Sequence, residues 1–179
     1  MPQNSFASND EGRHWYFYFG SGEGRVRLSK TYQVGDSNFD IDSKVKNQII
    51  GFGYILEQNT YLEFNYATDF VETAIDIFGL DEVSLSETQI LLGHQLNFSK
   101  KWSIAPEVAF SKGALKIKES PLFNPGPEEE FSTDDYNVAV GANLKWRISP
   151  LFAINLKYTQ VKFDYIDSHN TYINMTFHF

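Results

Sequence analysis

The chain ends in Thr171-Tyr-Ile-Asn-Met-Thr-Phe-His-Phe179, a stretch that alternates without a break. Ile173, Met175, Phe177 and Phe179 are apolar, while Tyr172, Asn174, Thr176 and His178 between them are polar or amphipathic. Strict period-2 alternation marks a strand whose two faces meet different environments. Chain termini usually fray, so a strand that runs to a terminal aromatic is unusual for a soluble domain.

The same pattern recurs upstream. Trp15, Phe17 and Phe19 oppose Tyr16, Tyr18 and a run of alternate glycines; Ile50, Phe52 and Tyr54 oppose Gly51 and Gly53. Leu62, Phe64 and Tyr66 oppose Glu63 and Asn65, and Val138, Val140, Leu144 and Trp146 oppose Asn137, Gly141, Asn143 and Lys145. The spacing predicts eight strands, near residues 14–24, 45–56, 61–70, 85–98, 102–114, 134–147, from 152 onward, and the closing stretch. Turn-like residues at 57–60, 99–101 and 148–150 make three tight connections. Longer connections fall near 28–44, 71–85 and 115–133, with a shorter one at 164–167. Long and short connections thus sit at opposite ends, and residues 13–179 read as one domain behind a flexible segment 1–12.

Alternation alone fits a soluble barrel with an apolar lumen as well as a membrane barrel with an apolar exterior. Three features favour the second. Gly20, Gly22, Gly51, Gly53, Gly93 and Gly141 fall on the polar face, where an eight-stranded lumen needs room for side chains. Trp15, Trp102 and Trp146 lie at the short-turn ends on the apolar face, the place of an interfacial aromatic girdle. The apolar set also runs on to Phe179, which a soluble barrel does not require. No apolar run reaches the roughly 18 residues of a membrane helix, and the mean hydropathy is −0.35. Neither counts against a barrel, since only alternate residues meet lipid.

From Trp15 to Phe179 the pattern resembles the small eight-stranded outer-membrane barrels of the OmpA/OmpX type, carried by alternation, loop asymmetry and the terminal TYINMTFHF. The resemblance implies an all-β, antiparallel up-and-down transmembrane barrel in a bacterial outer membrane. Both termini would be periplasmic and the long loops extracellular. Phe177 and Phe179 would be the signal read by the barrel-assembly machinery, and the partners outer-membrane lipid and lipopolysaccharide, with the protein a monomer. Residues 1–12 have neither a basic nor an apolar export region, so Met1 is expected to replace a removed signal. The absence of cysteine suits an oxidising route. The net charge of −8 argues against nucleic acid.

Four charges fall on the polar face: Glu63, Glu107, Lys145 and Lys157. Glu107 and Lys157 stand at similar distances above their short turns, with Glu63 and Lys145 lower. Buried charge without a partner is costly, so pairing into a structural plug is expected, with an ion gate as the alternative. Pro106 sits mid-strand and His94 on the lipid face, and a bulge near either is expected to absorb both. Gly20-Ser-Gly-Glu-Gly24 lacks the Lys-Ser/Thr and helix of a phosphate loop. Asp167, Ser168 and His169 cluster near the outer rim, as a lipid A-modifying enzyme would require, but neighbouring Ser and His point to opposite faces of a strand. No cofactor or metal pattern is read.

Asp69, Glu72, Asp76, Asp81 and Glu82, followed by Glu87, read as an acidic second loop, with Val71, Ala74, Ile75 and Phe78 spaced as on a helix face. With Glu128, Glu129 and Glu130 they give an acidic rim opposite basic short turns at Lys100, Lys101 and Arg147. An extracellular ligand there is expected to be basic or cation-bridged. The leading function is a non-enzymatic structural, adhesive or protective surface barrel; a small or gated channel comes next, and a lipid-modifying enzyme third. A protein with this apolar exterior should refold from urea only with detergent or lipid, and unboiled samples should migrate differently on a gel. Cooperative folding in plain buffer would refute the membrane reading.

Overall fold

The computed structural model describes residues 14–29, 31–34, 37–39, 42–56, 59–71, 82–119 and 129–179. In chain order the strands are β1 (Trp15–Leu28), β2 (Tyr32–Val34), β3 (Ser37–Phe39), β4 (Asp42–Ile55), β5 (Thr60–Val71) and β6 (Glu82–His94). They continue as β7 (Leu96–Asn97), β8 (Trp102–Glu119), β9 (Glu129–Arg147), β10 (Phe152–Lys162) and β11 (Ile166–His178). β2 and β3 form a separate hairpin, and β7 continues β6 beyond Gln95. The others pair antiparallel with their chain neighbours, and β1 closes on β11 from Tyr16 opposite His178 to Leu28 opposite Ile166. The result is a closed eight-stranded barrel, in which the outer part of β9 from Glu129 to Val138 pairs with β8 but not with β10.

Closure fixes the stagger. Following the register from Tyr16 through Gly53, Glu63, Leu91, Ala109, Ala139, Val161 and Ser168 returns to β1 at Val26, ten residues further along. Eight strands tilted by about 35–45° enclose a lumen wide enough only for side chains. Glycines shape what fits there. A Cβ on Gly53, Gly51 or Gly93 would strike the rings of Tyr16, Tyr18 and Tyr61 respectively. Each tyrosine lies directly across the ladder from its glycine.

The short connections after β4, β7 and β9 lie at one end together with His14, the first described residue, and Phe179, where Ile55 N donates to His14 O and Phe179 N to Trp15 O. Ser99 Oγ accepts from Trp102 N at 2.9 Å, and Asn59 supplies the left-handed turn residue with φ 65°.

The two faces exchange character along the strands. Near the short turns the outside is apolar (Phe19, Phe52, Phe64, Leu92, Val108, Leu156, Ile173) and the inside polar. Toward the far end the sense inverts. Val26, Leu28, Val45, Leu85, Leu115, Ile117, Phe163 and Ile166 are buried inside, while Arg25, Arg27, Lys44, Lys112, Lys116 and Lys118 face out. Tyr66, Phe110, Tyr136 and Tyr158 mark the crossover on the outside. An apolar exterior fits lipid and an apolar interior with a charged exterior fits water, so the crossover marks one edge of the bilayer.

This inversion corrects the loop boundaries expected from the sequence. Strand enters the connections expected at 28–44, 71–85 and 115–133 from both ends: β1 reaches Leu28, β4 begins at Asp42, β5 reaches Val71, β6 begins at Glu82, β8 reaches Glu119 and β9 begins at Glu129. The outward apolar series stops at the water boundary, whereas the ladder continues beyond it. The bulge expected near Pro106 and His94 is absent. Register is unchanged across the break at Gln95, with Gly93 facing Glu107 before it and Leu96 facing Ile104 after it. Pro106 simply lacks the donor for that rung, and His94 faces out near the short turns, with Nδ1 3.0 Å from Thr60 Oγ1.

The inversion predicts opposite responses to one side chain. Leu156→Arg, in the apolar belt, should cost about 2–4 kcal/mol in lipid vesicles. Ser132→Arg, outward on the extension of β9, should change stability by less than about 0.5 kcal/mol. Urea titrations followed by tryptophan emission read both.

Candidate functional site

The lumen is filled at mid-depth by an ion-pair network. Lys157 on β10 is 1% exposed and donates to Glu63 Oε2 on β5 at 2.6 Å. Glu107 Oε2 on β8 lies 3.4 Å from the same ammonium, an ion pair outside hydrogen-bond geometry. Tyr16 and Tyr18 donate to the two oxygens of Glu63 at 2.8 and 3.1 Å, and Tyr61 donates to Glu107 Oε1 at 2.6 Å. Lys145 reaches neither carboxylate directly; its ammonium stands over the rings of Tyr16 and Tyr61, at 5.3 and 6.0 Å from their centroids. The glycines across from these tyrosines let the rings lie flat against the wall and aim their hydroxyls inward. Two lysines thus face two glutamates across the lumen, and the phenols supply further donors that a bare pair would lack. Tyr61 was not marked as a partner by the sequence; its signal was its place opposite Gly93.

A second polar layer lies above the first. Asn47 donates to Asn170 Oδ1 at 3.0 Å, and Asn170 donates in turn to Asp69 Oδ2 at 3.1 Å and Ser168 Oγ at 3.0 Å. Gln89 donates to Glu87 at 3.2 Å. Asp69 and Glu87, expected in an acidic loop, are buried strand residues on the inner face of β5 and β6. Both fall within the strands expected near 61–70 and 85–98, and only their charge grouped them with the acidic loop. Glu82 opens β6, whereas Glu72, Asp76, Asp81 and Glu128 lie outside the described residues, as do Ala74, Ile75 and Phe78 of the expected helix face.

Above this layer the lumen is apolar. Val26, Leu85, Leu115, Ile117 and Ile166 pack with Phe163, which stacks on Tyr165 at 5.6 Å and 7° and lies over Gly113. Each such side chain contributes about 1.5–3 kcal/mol on burial, so the plug extends well past the charged layer.

On the outer surface, Trp15, Trp102 and Trp146 are exposed at the short-turn end. Trp102 stacks on Trp146 at 5.7 Å, and Trp15 meets Tyr54 edge-on at 4.8 Å. Phe177 lies between Phe152 and Phe19, and Phe179 faces outward beside it. Asp167, Ser168 and His169 are not brought together as a catalytic group. Ser168 is buried in the lumen, whereas His169 points outward with Nδ1 3.1 Å from Tyr158 Oη. The described barrel wall beneath the expected acidic loops carries cations as well. Arg25, Arg27, Lys44, Lys46, Lys112, Lys116, Lys118 and Lys162 stand outward there, several of them paired: Arg25 with Asp42, Lys112 with Asp134, Lys116 with Glu130. In water above the apolar belt, the Arg25 guanidinium holds the Asp42 carboxyl below its usual range. The signal for this wall was the Lys-x-Lys alternation in KGALKIKE and SKVKNQ.

No protein-family model matches the chain, and no curated protein matches it. Solved structures do. Ail, the attachment invasion locus protein of Yersinia pestis, matches at TM-score 0.63 and 14% identity over 93% of this chain and 99% of its own, and has also been solved with the heparin analogue sucrose octasulfate. Neisserial surface protein A matches at TM-score 0.64 and 10% identity, covering 92% and 97%. OprG of Pseudomonas aeruginosa matches at 0.54 and 9%, covering 93% and 97%. At these identities the likeness shows the fold, that of the eight-stranded outer-membrane barrels.

The network predicts an asymmetric cost. Lys157→Met leaves two buried carboxylates without their ammonium and should destabilise the barrel by about 3–5 kcal/mol. Adding Glu63→Gln and Glu107→Gln should recover part of that loss in the same urea titration.

Proposed function

We propose that this chain, with the fold of the eight-stranded outer-membrane barrels, is a non-enzymatic, non-conducting surface protein whose work is done by the part standing clear of the bilayer. The observation that carries the reading is the plugged lumen. A through-going channel needs a wet path, and the path here meets the Lys157–Glu63–Glu107 cluster, then the Asp69–Asn170 layer, then an apolar cap. A gate could open one such barrier but would have to displace three in series.

The orientation follows from the asymmetry of the two ends. Short turns and both termini would face the periplasm, and the extended ends of β8 and β9, strands of 18 and 19 residues, would stand outside the cell. There they would carry a charged wall and the connections 72–81 and 120–128 to whatever the protein meets. That arrangement supports a structural, adhesive or protective role as a monomer, placed by the barrel-assembly machinery among outer-membrane lipid. The catalytic reading loses its support with Ser168 buried and His169 on the opposite face.

Planar-bilayer recordings should show no steady conductance; discrete reproducible steps would restore the channel reading. Because the chain has no cysteine, Ser132→Cys and Ser99→Cys can be labelled singly on intact cells with a membrane-impermeant maleimide. Ser132→Cys should label and Ser99→Cys should not.

A further inference from the structure

The second polar layer of the lumen holds two carboxylates, whereas the buried lysines, Lys145 and Lys157, belong to the charged layer below it. Ala67 on β5 is its centre. Asn65 and Asp69 flank Ala67 two residues to either side on the same face, Glu87 lies directly across the ladder from it, and Asn47 directly across from Asp69. These positions lie within about 8 Å of Ala67, whose lone methyl group leaves the others room to converge. All four flanking residues are at most 2% exposed. Each carboxylate has one oxygen held by an amide: Asn170 donates to Asp69 Oδ2 at 3.1 Å and Gln89 to Glu87 Oε2 at 3.2 Å. The other oxygens, Asp69 Oδ1 and Glu87 Oε1, have no hydrogen-bond partner among the described residues, and neither do Asn47 Oδ1 or the two amide atoms of Asn65. A carboxylate only accepts, so Asn170 gives Asp69 its nitrogen and Asn47 its oxygen, and Asn47 keeps its own oxygen free. Ser168 stands close to both carboxyl groups, and the two carboxylates repel each other.

We propose that Asp69, Glu87 and the side-chain oxygens of Asn65 and Asn47 form a buried site for one divalent cation of the calcium class. Two carboxylates at this depth with no cation are costly. A proton shared between them would cancel one charge but join only two oxygens. A hard divalent cation cancels both charges and takes about six to eight oxygen ligands, which answers the amide oxygens as well. Asn65 is free at both amide atoms, so its oxygen turns inward without breaking a bond. Gln89 and Asn170 are then the outer supports that orient ligating carboxylates. No group of three acidic, histidine or cysteine side chains comes together as a metal site among the described residues, so amide oxygens and water complete the shell. Such a mixed set suits calcium better than magnesium, which demands a near-ideal octahedron. The site lies between the Lys157 cluster and the apolar cap of Val26, Leu115 and Ile117. The ion is therefore captured as the barrel closes, and its binding adds to folding stability. The site is independent of the surface role proposed above.

The test is refolding of the full chain into zwitterionic detergent micelles with calcium or with a chelator, followed by urea titration of each. At calcium a hundred times Kd the ratio of folded to unfolded chain should rise about a hundredfold, with a smaller rise in magnesium. The double variant Asp69→Asn/Glu87→Gln should ignore calcium and should outlast the wild type in chelator, because neither new side chain carries charge. Terbium, a luminescent stand-in for calcium, gives a second measurement on the unaltered chain. Its emission lifetimes in light and heavy water should report an ion with few bound waters, as a luminal site requires and surface carboxylates do not. Stability of the wild type that ignores calcium, or terbium that is water-rich throughout, overturns the site. Calcium dependence kept in full by the double variant overturns it too. A double variant more stable than a calcium-insensitive wild type assigns the carboxyls a shared proton instead. If the double variant fails to refold, the wild-type calcium response and the terbium lifetimes decide.

Discussion

Hydrocarbon offers no partner for a backbone amide, so every rung of this sheet must be filled from within the chain. Pairing of β1 with β11 meets that requirement, and much else follows from it. Closing eight strands with a stagger of ten residues sets the lumen width, which decides how large a side chain can point inward. Tyrosine and glycine therefore face each other across neighbouring strands at Tyr16–Gly53, Tyr18–Gly51 and Tyr61–Gly93. Each ring occupies the space a second side chain would have needed, and each hydroxyl reaches a glutamate. Pro106 is the exception that shows the rule. It removes one donor, and the β6–β7 strand is interrupted opposite it while the register on both sides is kept.

Inside that narrow space, charge is held by charge. A lone ammonium at the depth of Lys157 would be expensive, and so would either glutamate without it. The two lysines, two glutamates and three phenols make a set in which removing any charge exposes another. A buried ion pair need not stabilise more than a hydrophobic filling of equal volume. Its clearer consequence here is occupancy: side chains from five strands, β1, β5, β8, β9 and β10, meet across the lumen.

Further along, the same strands change solvent without changing structure. Hydrogen bonding continues through β8 and β9 as before, but lysines take the outside and leucine and isoleucine the inside. The bilayer is thus recorded in the protein as a reversal of which face is apolar, with tyrosine and phenylalanine at the edge. Such an extension has its own dry core of Val26, Leu115, Ile117 and Phe163, so the charged wall above the membrane is carried by a packed sheet.

The sequence by itself determined the strand count, the alternation, the short-turn end and the inward set Glu63, Glu107, Lys145 and Lys157, because each depends on local spacing of period two. It did not determine where the strands end. Lys112, Leu115, Lys116, Ile117 and Lys118 alternate as cleanly as Trp102 to Phe110, but in the opposite sense, and a reading tied to an apolar exterior stops where that exterior stops. Asp69 and Glu87, grouped with the acidic loop by their charge although they fall within expected strands, stand among Asn47, Ser168 and Asn170 in the lumen. Nor could spacing show that Lys157 would bond Glu63 and reach Glu107, since partners 94 and 50 residues away are joined only by the tilt and stagger of the closed ring. Local periodicity sets which face a residue takes; the depth at which it meets its partners exists only once the barrel has closed.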